Sequence, residues 1–312
     1  METKSILFSI IIPAYNEEEY LAETLLAIHH FPPPSPYEVI VVDNNSTDST
    51  ADIANKLSAQ VINSTDKTIA AVRNRGAEAS YGTFLIFLDA DVKVTKDWHL
   101  GMPDILEKLI DNPLLVTGSR CLPPDNTTWL NRYWFTRLIS HKGPYINSGH
   151  LITSRLLFDR IDGFSESLST AEDYDFCMKA QSIKAPILHS DIIPVIHDGY
   201  PTSIIGFINR ERWHGHEDFE TVKSFAHSKV GWIAALNLLT ACICLISSIA
   251  NTEITPIIFY ITIMYVISVI LSIIKFPFKN TYTLLNTAII FFLYITGRSL
   301  AGLDRLSTGA KH

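Results

Sequence analysis

Two aspartates one residue apart, Asp89 and Asp91, close the stretch GTFLIFLDADVKV at residues 82–94. The five apolar residues before them read as a strand buried on both faces. Two like charges at the tip of such a strand are unfavourable unless something positive sits there. Two other apolar runs end in the same way, one in Pro13, Tyr15, Asn16 and Glu17, the other in Asp43, Asn44 and Asn45. A hard divalent cation such as Mg2+ or Mn2+ takes carboxylate oxygens and fills its remaining positions with a ligand's phosphates. A solvated turn whose aspartates cap the next segment is the alternative, and spacing alone leaves both open. Glu172 and Asp173, in TAEDYDF, form a second acidic pair. A carboxylate there can take a proton from a hydroxyl. The same residues with Thr170 also fit a capping box, with both acids favoured by the helix dipole. One helix start can serve both purposes.

The elements that must position these residues alternate. ILFSIII is a strand, and a helix is expected over residues 17–30, with Asn16 as N-cap and Glu19 three residues on. The prolines of FPPPSPY end it. EVIVVD, AQVI and FLIFLDAD are further strands, separated by the helical segments STADIANKL and IAAVRNRGAEAS. This alternation predicts right-handed βαβ units and a mostly parallel sheet, with ligands at the carboxyl ends of its strands. Beyond it, PDILEKLI and AEDYDFCMKAQSI read as helices and LLVTGS and GHLITS as strands. NRYWFTRL is an aromatic-basic stretch suited either to contact with a lipid or the bilayer surface or to core packing. DIIPVIHD reads as an edge strand interrupted by Pro194.

Composition narrows the partners. Of 312 residues, 25 are Lys or Arg and 32 Asp or Glu, a net charge of −7. That leaves no basic surplus for nucleic-acid binding. The cysteines Cys121, Cys177, Cys242 and Cys244 show neither zinc spacing nor a disulfide framework, which fits a reducing compartment. SILFSIIIPA reads as a first buried strand and not as a signal-peptide core, because NEEEY follows it and no small-residue cleavage site does. Between residues 233 and 274 the only charged residue is Glu253. The chain therefore divides into a polar domain over 1–228 and a C-terminal membrane anchor over 229–312. Spans are expected at 233–250 and 254–274. A third apolar segment at 284–300 is expected to be either spanning or interfacial. Lys223 and Lys229 precede the first two spans and Lys275 and Lys279 follow them, which places the polar domain in the cytoplasm. The sequons at Asn45, Asn63 and Asn126 then have no consequence.

The motifs SIIIPAYNEE, VIVVDNNSTDST, AAVRNRGAEASYGTFLIFLDAD and AEDYDFCMKA, in this order over residues 5–200, resemble glycosyltransferase family 2, inverting enzymes of the GT-A fold. The resemblance implies a Rossmann-like nucleotide-diphospho-sugar transferase domain with a mostly parallel sheet. By the same resemblance Pro13, Tyr15 and Glu17 border the nucleotide, and Asp43 hydrogen-bonds the base. Asp89 lies near the ribose or the metal, and Asp91 ligates Mn2+ or Mg2+. His197 is implied as a third ligand, with His189 as its rival. Arg73 matches the family's arginine, either as a donor contact or as a salt-bridging residue. Asp173 matches the base, with Glu172 as the neighbouring alternative. Arg212 and Trp213, in NRERWHGH, resemble a Q-x-x-R-W segment that faces the acceptor or the diphosphate, although Asn209 stands where that pattern has Gln. The same stretch equally suits an interfacial anchor.

The expectation is a multi-pass, membrane-anchored transferase. Its donor is a nucleotide sugar and its acceptor a lipid-linked carrier or a glycan at the membrane. A catalytically silent, membrane-tethered nucleotide-sugar sensor or scaffold is the alternative, and loss of Asp91 or Asp173 would mark it. Both are present. A transporter would carry intramembrane charge pairs, which the first two spans lack. A processive synthase needs more than two or three spans to enclose a channel.

Overall fold

The computed structural model of the protein describes residues 6–124, 128–138, 143, 145–168, 170–219, 221–278 and 280–309. Asn126, Lys279 and Lys311 lie outside the described residues. The chain forms two compact units. One comprises Met1–Asp125 and Ile139–Gly199, the other Asn126–Leu138 and Tyr200–His312. Hydropathy divides the chain at 228/229, whereas packing groups residues 200–228 with the helices that follow.

The first unit alternates strand and helix through its first half. The elements are β1 (Phe8–Ala14), α1 (Leu21–His30), β2 (Tyr37–Asp43), α2 (Thr50–Lys56), β3 (Gln60–Asn63), α3 (Ile69–Glu78), β4 (Phe84–Leu88), β5 (Val92–Val94), α4 (Lys96–Asp111), β6 (Val116–Gly118) and β7 (Cys121–Leu122). After α5 (Thr136–Leu138), which belongs to the other unit, come β8 (His150–Ser154), α6 (Arg155–Arg160), α7 (Glu172–Ser182), β9 (Ile187–His189) and β10 (Val195–His197). Seven strands form one sheet in the order β3-β2-β1-β4-β8-β6-β9. All neighbours in it are parallel except β8, which runs antiparallel to both β4 and β6.

The sheet is buried on both faces, as its unbroken apolar strands require. Ile10 and Ile12 of β1 and Ile86 and Leu88 of β4 enter one core. Ile11, Leu85 and Phe87 enter the other, a strict two-residue alternation. Each such side chain contributes roughly 1.5–3 kcal/mol on burial. The inversion of β8 matters for function, because its first residue, His150, pairs with Leu88, the last residue of β4. The loop before β8 thus arrives at the same sheet edge as the carboxyl ends of β1, β2 and β4.

Local expectations are corrected at three places. Asn16 is not a helix cap. It sits in the left-handed region with φ 56°, and α1 starts behind Tyr20 without a side-chain cap. The polar groups expected to cap α1 instead fasten the loop after β1 to the loop after β2. Asn16 Oδ1 accepts from the Thr47 N–H at 2.8 Å, and the Glu17 N–H donates to Thr50 Oγ1 at 2.8 Å. The capping box at Thr170 does not form either. Ala171 is the N-cap, in the left-handed region with φ 58° and no side-chain bond, because both acids behind it point to tertiary partners. β10 is not an edge strand but the centre of a three-stranded sheet, β5-β10-β7. Pro194 precedes it and loses no ladder hydrogen bond.

The second unit consists of a π-helical turn at Asn131–Phe135 continuing into α5, then α8 (Ile204–Gly215), α9 (Val222–His227), α10 (Lys229–Asn251), α11 (Thr255–Lys275) and α12 (Thr281–Gly309). Lys229–Asn251, Thr255–Lys275 and Thr281–Arg305 are each long and apolar enough to cross a membrane. In NRYWFTRL the packing role holds for Trp134. It is 1% exposed, in a cluster with Phe207, Met264, Phe276, Phe291 and Ile295.

Candidate active site

Arg73 on α3 joins the two acidic motifs. Its guanidinium donates to Asp89 Oδ1 at 2.6 Å and to Glu172 Oε1 at 2.7 Å, and its side chain is 3% exposed. A buried arginine with two carboxylates is favourable only with this geometry, since its planar fork serves both partners at once. Ser148 Oγ donates to the same Glu172 oxygen at 3.0 Å. Asp173, next along α7, is held separately. Asn147 Nδ2 donates to its Oδ2 at 2.9 Å and the Tyr174 N–H to its Oδ1 at 2.7 Å. Burial, and then the charge of Glu172, push the Asp173 carboxyl up to about 6. An aspartate in that range is ionised at neutral pH and more basic than an exposed one.

Residues 147–149, between these two sets, carry no sequence signal beyond small and polar. The Asp89 N–H donates to the Gly149 carbonyl at 3.3 Å, and the Gly149 N–H donates to Asn147 Oδ1 at 2.8 Å. A Cβ on Gly149 would stand 2.7 Å from Asp89 Oδ2 and 2.9 Å from Asn147 Oδ1. A side chain at this position would displace the tips of Asp89 and Asn147, so glycine suits the turn before β8 where it touches the end of β4.

Asp91 points the other way. Its Oδ2 lies 3.2 Å from His197 Nε2, and its backbone carbonyl accepts from the Asp198 N–H at 2.8 Å. Burial raises the Asp91 carboxyl, His197 opposes the shift and Asp89 adds to it. Glu17 at the end of β1 is raised to about 7, by burial first and then by Asp91 and Asp89. Arg73 offsets Asp89 and Glu172, but around Asp91 and Glu17 negative charge stands in excess, the condition a bound cation relieves. Among the described residues no three His, Cys, Asp or Glu side chains are placed as a ready metal cage. Asp91 and His197 do stand together, with the D-x-D turn bringing Asp89 alongside. Two protein ligands with the balance from phosphate and water suit Mg2+ or Mn2+. His189 contacts the Gly143 carbonyl at 2.8 Å instead.

Asp43 lines a cleft of about 370 Å3 with Asn45, Ser46, Asn63, Ser64, Thr65 and Arg75. It is 5% exposed, and its Oδ2 accepts from the Ser46 N–H at 3.3 Å. Its buried Oδ1 has no partner among the described residues, an acceptor open to a donor from a ligand. Pro13 is buried beside Val42, and Tyr15 is 59% exposed at the rim of the strand ends. Arg212 and Trp213 belong to the second unit. Arg212 is paired with Asp304, its Nε at 2.6 Å from Oδ2, and Trp213 is 60% exposed.

Residues 9–164 match a family profile described as Glycosyl transferase family 2. Among curated relatives, glycosyltransferase AglE of Haloferax volcanii is 40% identical over 97 residues, 29% of this chain and 32% of that protein. Poly(ribitol-phosphate) beta-N-acetylglucosaminyltransferase TarS of Staphylococcus aureus is 30% identical over 193 residues, 55% of this chain and 32% of that one. The chain thus spans about a third of the length of these relatives. A mannosyltransferase of Pyrobaculum calidifontis, solved with GDP-Man and Mn2+, shares the fold with a TM-score of 0.57 at 18% identity, covering 96% of this chain and 88% of its own. The profile covers half of the sequence and carries its strand-end motifs, and on that ground the chain belongs to glycosyl transferase family 2, with the GT-A fold.

Proposed function

We propose that the protein transfers a sugar from a nucleotide-diphosphate sugar to a hydroxyl or phosphate acceptor at the membrane, with inversion at the anomeric carbon and with Mn2+ or Mg2+ as cofactor. The observation that carries this reading is Arg73, which ties Asp89 to Glu172 and so holds the D-x-D turn and the Glu172-Asp173 pair in one site. Asp43 Oδ1 is the acceptor for an N–H of the base, with Pro13, Tyr15 and Glu17 bordering the nucleotide. Asp91 and His197, with Asp89 beside them, hold the cation. When bound, the cation supplies positive charge against the donor diphosphate and stabilises it as a leaving group.

The chain's own residues account for the rest. Glu172 is engaged by Arg73 and Ser148 and serves to position Asp173. For a hydroxyl acceptor, Asp173 takes the proton as the O–H bond breaks. The oxygen forms its bond to the anomeric carbon from the face opposite the diphosphate. The carbon–oxygen bond to the diphosphate breaks with its electron pair, and the nucleoside diphosphate leaves. We read residues 1–228 as the catalytic part, facing the cytoplasm, and 229–312 as its anchor in the cytoplasmic membrane. The lipid-linked carrier or glycan acceptor follows from that anchor.

The test is turnover of a small nucleotide-sugar panel by detergent-solubilised protein with membrane lipid extract, with and without Mn2+, beside Asp91→Asn. Metal-dependent turnover that the variant loses supports the reading. Donor binding with no turnover under any of these conditions overturns it in favour of the tethered sensor.

A further inference from the structure

We infer that α12 does not cross the bilayer: it lies in the membrane interface across the base of the α10–α11 hairpin, so the membrane part has two spans. This rests on packing within the second unit and is independent of the catalytic reading.

The first observation is where α12 touches the hairpin. The buried residues of α10 are Gly231, Ala234 and Asn237, all in its first nine positions. Those of α11 are Met264, Ser268 and Ser272, all in its last twelve. No residue from 238 to 263 is buried. A helix of 23 residues is roughly 34 Å long at ~1.5 Å per residue. A third span running beside the hairpin would cover such helices along their length. α12 covers only the end nearer the chain's polar part, and Asn237 Nδ2 donates there to Ser299 Oγ at 2.8 Å.

The second observation is what holds the two ends of α12. Near its start, Trp129 Nε1 donates to Asn286 Oδ1 at 2.8 Å and Thr287 Oγ1 to the Tyr133 carbonyl at 3.1 Å. Near its end, Arg298 meets Glu211 at 3.4 Å and Asp218 at 3.1 Å, and Asp304 holds Arg212 and His216. The approach is close: a Cβ on Gly297 would stand 2.8 Å from Glu211 Cβ, and one on Gly215 2.7 Å from Ala301 Cβ. The two clamping segments also touch each other, with the rings of Trp134 and Phe207 5.8 Å apart and those of Phe135 and Tyr200 4.3 Å apart. Arg210, Glu211, Arg212 and His214 make α8 far too polar for hydrocarbon. No span separates either clamping segment from the rest of the polar chain, so both lie on one side of the membrane. Both ends of α12 then lie on that side too.

The third observation is exposure. Mean hydropathy falls from 2.2 and 2.7 in α10 and α11 to 1.4 in α12, and the buried share of the apolar window rises from 11% and 17% to 44%. No residue from 290 to 302 is exposed. The large apolar side chains α12 does present lie toward its two ends, Tyr282 at 68%, Leu285 at 41% and Ile289 at 42% near its start and Leu303 at 41% near its end. They suit the headgroup boundary.

Thiol labelling in sealed vesicles of both orientations, with a membrane-impermeant maleimide, tests this on the full chain. Lys223→Cys marks the polar side and Glu253→Cys the hairpin tip, while the unsubstituted protein sets the background of its own cysteines. Leu303→Cys, and independently Arg305→Cys, are expected to label from the same side as Lys223→Cys. Labelling of both from the side of Glu253→Cys, or from neither side until detergent is added, overturns the inference.

Discussion

Asp173→Asn is expected to stabilise the protein while removing its proposed base. The Asp173 carboxyl stands at about 6 against an ordinary 3.8, a shift of about two units. At ~1.36 kcal/mol per unit, keeping it ionised when folded costs about 3 kcal/mol. The folded chain binds a proton here that the unfolded chain releases. Stability from this group therefore falls as pH rises from about 4 to about 6, and the full penalty stands above that window. Asparagine removes the penalty but disturbs the bond from Asn147 Nδ2, at a cost of about 1 kcal/mol. The net gain above pH 7 is about 2 kcal/mol, or about 4–8 °C in Tm for a unit of this size. Thermal unfolding of both proteins in one detergent, at pH 7.5 and at pH 4.5, measures it. A gain at pH 7.5 that shrinks at pH 4.5 is the expected outcome. A Tm that is unchanged or lower at pH 7.5, or a gain independent of pH, would refute the reasoning that Asp173 is held ionised in a desolvated site.

Two further substitutions address the construction of the site. Gly149→Ala, which drives a methyl group into Asp89 Oδ2 and Asn147 Oδ1, is expected to lower turnover at least ~10-fold, a separation of about 1.4 kcal/mol in the barrier; parental kcat/KM in the variant contradicts the role given to the turn. Asp43→Asn retains size but offers the ligand an amide in place of a carboxylate, and donor Kd measured by calorimetry is expected to rise about 10-fold or more. Unchanged donor affinity in that variant would move the base out of the Asp43 cleft.

The core strands were legible because they are apolar without interruption, and a parallel sheet buried on both faces is the arrangement that suits them. The acidic motifs were legible because carboxylates at the ends of such strands demand an explanation. Their connection was not. Arg73 reaches both acids only because α3 lies against the sheet and β8 enters it antiparallel, and neither fact leaves a local trace in the sequence. For the same reason Asn147, Ser148 and Gly149 escaped notice. Three small polar residues before a strand look like any turn until the strand's direction is known. The caps expected at Asn16 and Thr170 failed in the opposite sense. The local pattern was genuine, but hydrogen bonds across 31 residues, from Thr47 to Asn16, and across 26, from Asn147 to Asp173, took the groups it needed. Both failures fall at the strand-end site, where residues answer to a ligand as well as to their own helix.

The central claim is that Asp173 takes the acceptor proton in a site otherwise built to hold the donor. The direct measurement is turnover of nucleotide sugar with membrane lipid acceptor and Mn2+ by the full chain and by Asp173→Asn, with donor Kd determined on both. The account predicts a loss of about 10²–10⁴-fold in turnover with donor affinity unchanged. Turnover by Asp173→Asn close to that of the parent would contradict it.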